Sequence, residues 1–305
     1  MDVLNFISWL KSKRQVTTVD ASQTLIPLGL KDARRVDGYL PGAISVEDLL
    51  SGATPSYTDG NIFIGPDAGT ISTNKVNNIG IGEYSANGNN RYNNINIGYE
   101  SGAYTPNAQR NVALGTSTHS NGANTTDSVF IGYGSGRLFN NSVSSNTFVG
   151  AYTGINNWIS GEFNTTIGAY SLSSLTTGFS NSSIGQYSLN SLTVGYWNTA
   201  LGNESLVNLS LGRFNTAIGG MSGNSVTTGE NNIFIGYNAN VLYPNGGISN
   251  SAAIGRGAVV DSNNQIAIGS VSYPLGTVST EALTPTKSWA VKINGVNYKI
   301  PLQIA

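Results

Sequence analysis

The pentapeptide Asn215–Gly219, NTAIG, belongs to a series. NTALG ends at Gly202, NSSIG at Gly185 and NTTIG at Gly168, each seventeen residues apart. The glycine of every such aliphatic-Gly pair gives thirteen marks: Gly65, Gly82, Gly98, Gly115, Gly132, Gly150, Gly168, Gly185, Gly202, Gly219, Gly236, Gly255 and Gly269. Their spacings are 17, 16, 17, 17, 18, 18, 17, 17, 17, 17, 19 and 14. A repeat this short and regular restricts the chain to an array of stacked units. One such unit cannot bury its apolar face alone, and only its neighbours can cover it.

The columns around the glycine specify the unit. The residue before it is always aliphatic, from Ile64 through Leu114, Val149 and Leu201 to Ile268. Three before it stands a mostly β-branched residue, such as Ile62, Val112, Thr165 or Ile233. Positions two apart share one face of a strand. This spacing predicts one short strand per repeat, burying its aliphatic pair. The residue between points the other way and is Phe63, Phe130, Phe148 or Phe234, or a small residue such as Ala113, Ala200 or Ala217. An apolar second face predicts a subunit interface, with these seven residues lining it.

Four before the glycine lies asparagine: Asn61, Asn78, Asn94, Asn111, Asn146, Asn164, Asn181, Asn198, Asn215 and Asn232, with Ser128, Ser251 and Gln265 in the remaining places. A stacked column of amides is expected to hydrogen-bond along the rod as a ladder. Asn also accepts the left-handed backbone of a tight turn. The expected architecture is all-β: a parallel β-solenoid of about thirteen coils. Twelve steps of about 4.8 Å make a rod roughly 58 Å long. The central coils carry a second apolar pair: Leu172 and Leu175, Leu189 and Leu192, Leu206 and Leu209.

This pattern resembles the head repeats of trimeric autotransporter adhesins, whose coils read like NSVAIG and form a parallel β-roll. It is also similar to NTAIG-type repeats in fibre proteins of tailed bacteriophages. The resemblance covers about two thirds of the chain and implies a homotrimer. The period of 17 exceeds that of the adhesin heads, so the extra residues are expected to enlarge a loop.

The repeat divides the chain into residues 1–57, the rod at 58–270, and residues 271–305. The first segment reads as a small α+β element, with a short helix over Asp2–Lys13. Its TLIPLGL and AISVEDLL runs resemble N-terminal segments of phage virion proteins, which implies attachment to a capsid or tail protein. In the last segment, WAVKINGVNYKIPL places Asn294-Gly295 between alternating residues, a hairpin signal. Such a hairpin would cap the open end of the solenoid.

Composition narrows the chemistry. Charged residues are 10%, net charge is −1 and there is no cysteine. No global field draws the chain to nucleic acid, and no thiolate or disulfide is possible. No run approaches a membrane span or a secretory signal, so a soluble chain not exported by the usual route is expected. The one histidine, His119, reads as a solvated loop residue, and no metal or other cofactor is expected. Asp67 and Glu100 share a column two coils apart, about 9.6 Å by strand spacing, at the edge of what an inverting glycosidase pair uses. Nothing else supports hydrolysis, and a non-enzymatic chain is expected. Tyr133, Tyr152, Tyr170, Tyr187 and Tyr237 lie just after glycine marks, as do Tyr84 and Tyr99. With Trp158 and Trp197, Tyr84 and Tyr99 form the candidate glycan-binding set.

The expected function is a structural head or tail fibre of a tailed phage, assembled in the host cytoplasm and carried on the virion. It would adhere to host-surface or environmental glycans. A bacterial trimeric adhesin head and a polysaccharide-degrading tailspike are the alternatives. The first is disfavoured by the lack of a signal peptide and membrane anchor.

Overall fold

A computed structural model describes residues 60–70, 76–88, 92–120, 124–137, 143–155, 161–242, 246–272, 287–293 and 296–302. The expectations for residues 1–57, Trp158 and the Asn294-Gly295 turn lie outside them. The described part is all-β and contains no α-helix. Thirteen three-residue strands, from Ile62–Ile64 to Ile266–Ile268, form one continuous parallel sheet. Their register is that of the repeat: Thr199 opposes Thr216, Ala200 opposes Ala217, and Leu201 opposes Ile218. The chain is a parallel β-solenoid with a period of about 17 residues.

A second face precedes the asparagine in each coil. It begins as parallel bridges joining Val76, Tyr92, Gln109 and Thr126. It continues as Thr125–Thr126, Val143–Ser144 and Gly161–Glu162, and then as a four-stranded parallel sheet of Thr177–Phe179, Val194–Tyr196, Leu211–Arg213 and Thr228–Glu230. Only two residues separate a strand of this face from the next strand of the long sheet. The first of them turns the corner with positive φ, as Trp197 does at 54°. The second is the column asparagine. A third side, after the glycine, closes the coil with turns and the short pair Asn240–Val241 and Val259–Val260. Lys287–Ile293 and Val296–Leu302 pair antiparallel as a hairpin beyond the rod.

The amide column is continuous in hydrogen bonding. Oδ1 of each asparagine accepts the backbone N–H and the Nδ2 of the next, as from Asn61 to Asn78 and from Asn164 to Asn181. The second Nδ2 proton goes to a carbonyl of the second face, for example from Asn181 to Gly195 at 2.9 Å. All ten asparagines are at most 2% exposed. Buried amides are tolerated because every donor and acceptor is used. Where serine replaces asparagine, the Ser128 hydroxyl accepts from the Asn146 N–H and relays the column.

The faces of the long sheet are opposite to the sequence expectation. Phe63, Ala113, Phe130, Phe148, Ala200, Ala217 and Phe234 point into the coil and are at most 6% exposed. They cannot line an interface between chains. The aliphatic pairs point outward. The reason is space. Inside the coil, the residue in mid-strand faces the fourth residue after its glycine, and the two divide a fixed volume. Phe63 faces Gly69, Phe130 faces Gly136 and Phe148 faces Gly154, where an added Cβ would crowd each ring. Where mid-strand is Thr166, Ser183 or Ala200, the facing position is Leu172, Leu189 or Leu206, all fully buried. In these six coils large meets small, as close packing requires; where both are small, as at Ala217 and Gly223, Leu206 and Phe234 of the neighbouring coils come up against the gap. The marker glycines obey a different constraint. Gly185 has φ +136°, and a Cβ there would overlap the Gly202 carbonyl in the coil above.

Candidate functional site

The rod offers three distinct surfaces. The first is the outer face of the long sheet, two columns wide. Ten of its aliphatic side chains, among them Ile167, Ile184, Leu201, Ile218 and Ile235, are at least 36% exposed. Thr147, Thr165, Thr199 and Thr216 share one column with isoleucines. A continuous apolar ribbon of this length is unusual on a monomer.

The second surface runs along the edge just after the glycines. Tyr133, Tyr152, Tyr170 and Tyr187 form a ladder with ring centroids 5.1, 5.1 and 5.3 Å apart. Tyr84 and Tyr99 meet edge-on at 6.1 Å lower on the same edge. The Glu100 carboxylate beside Tyr99 raises its phenol above the ordinary value. Asp67 and Glu100 do share this edge, with Tyr84 in the coil between them. The Glu100 carboxylate accepts from Ser117 at 3.2 Å.

The third surface is the outer face of the four-stranded sheet and its corner with the long sheet. Trp197 stands here, far around the coil from Tyr84 and Tyr99. Phe179 stacks on Tyr196 at 5.0 Å and 2°, and Trp197 packs against Phe214 at 4.9 Å. The two pairs touch each other, with Phe179–Trp197 at 5.6 Å and Tyr196–Phe214 at 5.7 Å. Arg213 lies over the Tyr196 ring, donates to its hydroxyl, and pairs with Glu230. These partners, Glu230 first, hold the guanidinium above its usual value. Beside this row runs an open groove of about 430 Å³. Val194, Leu211 and Thr228 form one wall, and Tyr196, Arg213 and Glu230 the other. Its floor is the strand backbone at Gly195 and Gly212, where a Cβ would point inward against Leu192 and Leu209 and overlap the carbonyl of the next glycine.

His119 is not solvated. It is 1% exposed, occupies the same inward column as Leu172, and stacks on Phe130 at 4.4 Å. Its Nε2 shares a hydrogen bond with the Thr125 hydroxyl, and burial lowers its pKa to about 3. It is a core residue.

Two features lay beyond the sequence reading. One is a second polar column three residues after the glycine, Ser or Thr in every coil from Ser85 to Ser222. Ser85 donates to the Asn96 carbonyl and Ser101 to the Ala113 carbonyl, each at 2.8 Å. The other is the cluster of Phe179, Tyr196, Arg213 and Phe214. Its signal was present in the pair between glycine and asparagine in GFSN, GYWN and GRFN.

Among the described residues no group of His, Asp or Glu is placed to hold a metal ion, and no helix is long and apolar enough to cross a membrane. The chain matches no protein-family model, no curated protein and no solved structure.

Proposed function

We propose that the chain is a homotrimeric fibre of a phage virion that adheres to surface glycans, with residues 1–57 as its attachment segment. The apolar ribbon on the long sheet carries this reading. Fully burying an Ile or Leu side chain is worth about 1.5–3 kcal/mol. Covering the roughly 40% left exposed on ten of them is then worth on the order of 10 kcal/mol per chain. That is comparable to the estimated cost of association, about 4–15 kcal/mol. A narrow, straight, two-column ribbon suits other rods laid parallel along its full length. Three copies would set weak binding sites side by side and add avidity. The resemblance of the repeats to fibre and adhesin-head proteins supports the same assembly.

Light scattering on the full chain tests this. A native mass near three times 31.9 kDa is expected. A monomer at micromolar concentration would overturn the fibre reading.

A further inference from the structure

We propose that the groove on the four-stranded face is a binding site for a neutral polysaccharide, running along the rod axis. The inference rests on the adhesion reading and gives it a location and a ligand class.

One observation lies on the rim of the groove and two lie in it. The first is backbone strain without return. The corner residue has positive φ in every described coil, and in most coils it is Asn, Asp, Ser or Arg, such as Asn77, Asp127, Ser180 and Asn231. Asn and Asp tolerate that conformation, whereas bulky residues adopt it at a cost of about 1–2 kcal/mol. Phe163, Trp197 and Phe214 nonetheless hold φ of 58°, 54° and 57°, the last two on adjacent coils at the rim of the groove. They remain 60%, 51% and 40% exposed, so burial does not offset the cost. Large exposed rings kept in a strained corner point to something outside the chain that uses them.

The second is shape. The groove is open at the surface, floored by glycine backbone and one chain wide. Its volume of about 430 Å³ falls in the range of small-ligand sites. It repeats once per coil, and a pyranose in an extended chain has nearly the length of one coil step. Successive sugars would therefore meet equivalent walls.

The third is chemistry. One wall is Val194 and Leu211, with the Thr228 hydroxyl at its end. The other alternates a phenol, a guanidinium and a carboxylate on three successive coils: Tyr196, Arg213 and Glu230. Pairs of vicinal hydroxyls are well matched to a guanidinium and a carboxylate, and the C–H face of the ring to Tyr196, Val194 and Leu211; Trp197 and Phe214 stand on the rim, packed edge-on against Tyr196. Because Glu230 neutralises Arg213, the wall carries no net charge and favours neutral sugars over uronic or sialic acids.

The test is binding of the full chain to an array of neutral and acidic oligosaccharides, with Arg213→Ala in the groove wall, Trp197→Ser on its rim and, as a control at a corner without aromatics, Arg110→Ala. Serine is the native corner residue at Ser180, so Trp197→Ser keeps the fold. Neutral oligosaccharides are expected to bind, with about a tenfold or greater loss in both groove variants and none in the control. Glycan binding that survives both groove variants would overturn this site and leave adhesion standing. No bound oligosaccharide at all would overturn adhesion as well. Binding of acidic sugars alone would overturn the neutral class. A fall in native mass in the groove variants would make the patch a subunit contact instead.

Discussion

Oδ1 of Asn198 accepts two hydrogen bonds from Asn215, one from its backbone N–H at 3.1 Å and one from its Nδ2 at 3.0 Å. Asn198 in turn donates from Nδ2 to Asn181 and to the Gly212 carbonyl. Replacing it with alanine strips partners from several buried groups at once. Each such group costs about 1–3 kcal/mol, so Asn198→Ala should destabilise by about 3–6 kcal/mol. Asn198→Ser should cost about half as much, because the Ser128 hydroxyl already serves as acceptor for the coil above. Denaturant unfolding of the two variants decides this, and equal losses would refute the ladder as a source of stability.

The core pairs predict compensation. Phe130→Ala should cost about 3–5 kcal/mol by opening a cavity. Gly136→Leu should also destabilise, because a Cβ there overlaps the Phe130 ring. Leu is otherwise suited to that backbone, since Leu172, Leu189 and Leu206 sit at φ of 50–51° in the same column. The double variant should recover part of the loss, with a coupling of about 1–3 kcal/mol in a double-mutant cycle. Simple additivity would show that the two positions do not share a volume.

His119 makes the rod acid-sensitive. Its folded pKa is about 3, against about 6.5 unfolded. Between those values the unfolded chain binds the extra proton, so stability falls as pH falls. The slope is at most about 1.4 kcal/mol per pH unit. Asp127 is also lowered, by its hydrogen bonds from Arg110, but it titrates below the window from pH 5 to 6.5. In that window His119→Leu should flatten the stability profile. An unchanged slope would place the sensitivity elsewhere.

Asn96 is 1% exposed, and neither its Oδ1 nor its Nδ2 has a partner among the described residues. Alanine fills the same inward column at Ala113, Ala200 and Ala217. Asn96→Ala should therefore be neutral or raise the melting temperature, unlike Asn198→Ala. A loss as large as that of a ladder asparagine would reveal a bonded role.

Leu201 is 44% exposed on the ribbon. Leu201→Lys should leave circular dichroism of the isolated coil stack unchanged and drive the native mass toward the monomer. A lysine there that leaves the assembly intact would move the interface off this sheet.

Much of this was legible from residue spacing. The period, the strand positions, the asparagine column and the buried leucine pairs at Leu172/Leu175, Leu189/Leu192 and Leu206/Leu209 all follow from columns. The direction of the faces did not follow. Alternation assigns Ile218 and Ala217 to opposite sides of a strand, but hydrophobicity alone cannot say which is inside. Ile218 is the more apolar, yet a coil only a few residues across has room for alanine against leucine or phenylalanine against glycine. The same blindness hid His119, whose left-handed backbone turns an apparent loop residue inward. The third surface was overlooked because Tyr196, Arg213 and Phe214 recur with variation rather than identity.

The pairing of large with small occurs mostly within a coil. Thr166 with Leu172, Ser183 with Leu189 and Ala200 with Leu206 each fill one layer. Inserting or deleting a whole coil in this region would add or remove a strand, one ladder amide and one complete layer, and would leave no void behind. Rod length is thus a quantity that duplication can change in seventeen-residue increments without redesign of the interior. The length of such a rod can drift over generations while its cross-section stays constant.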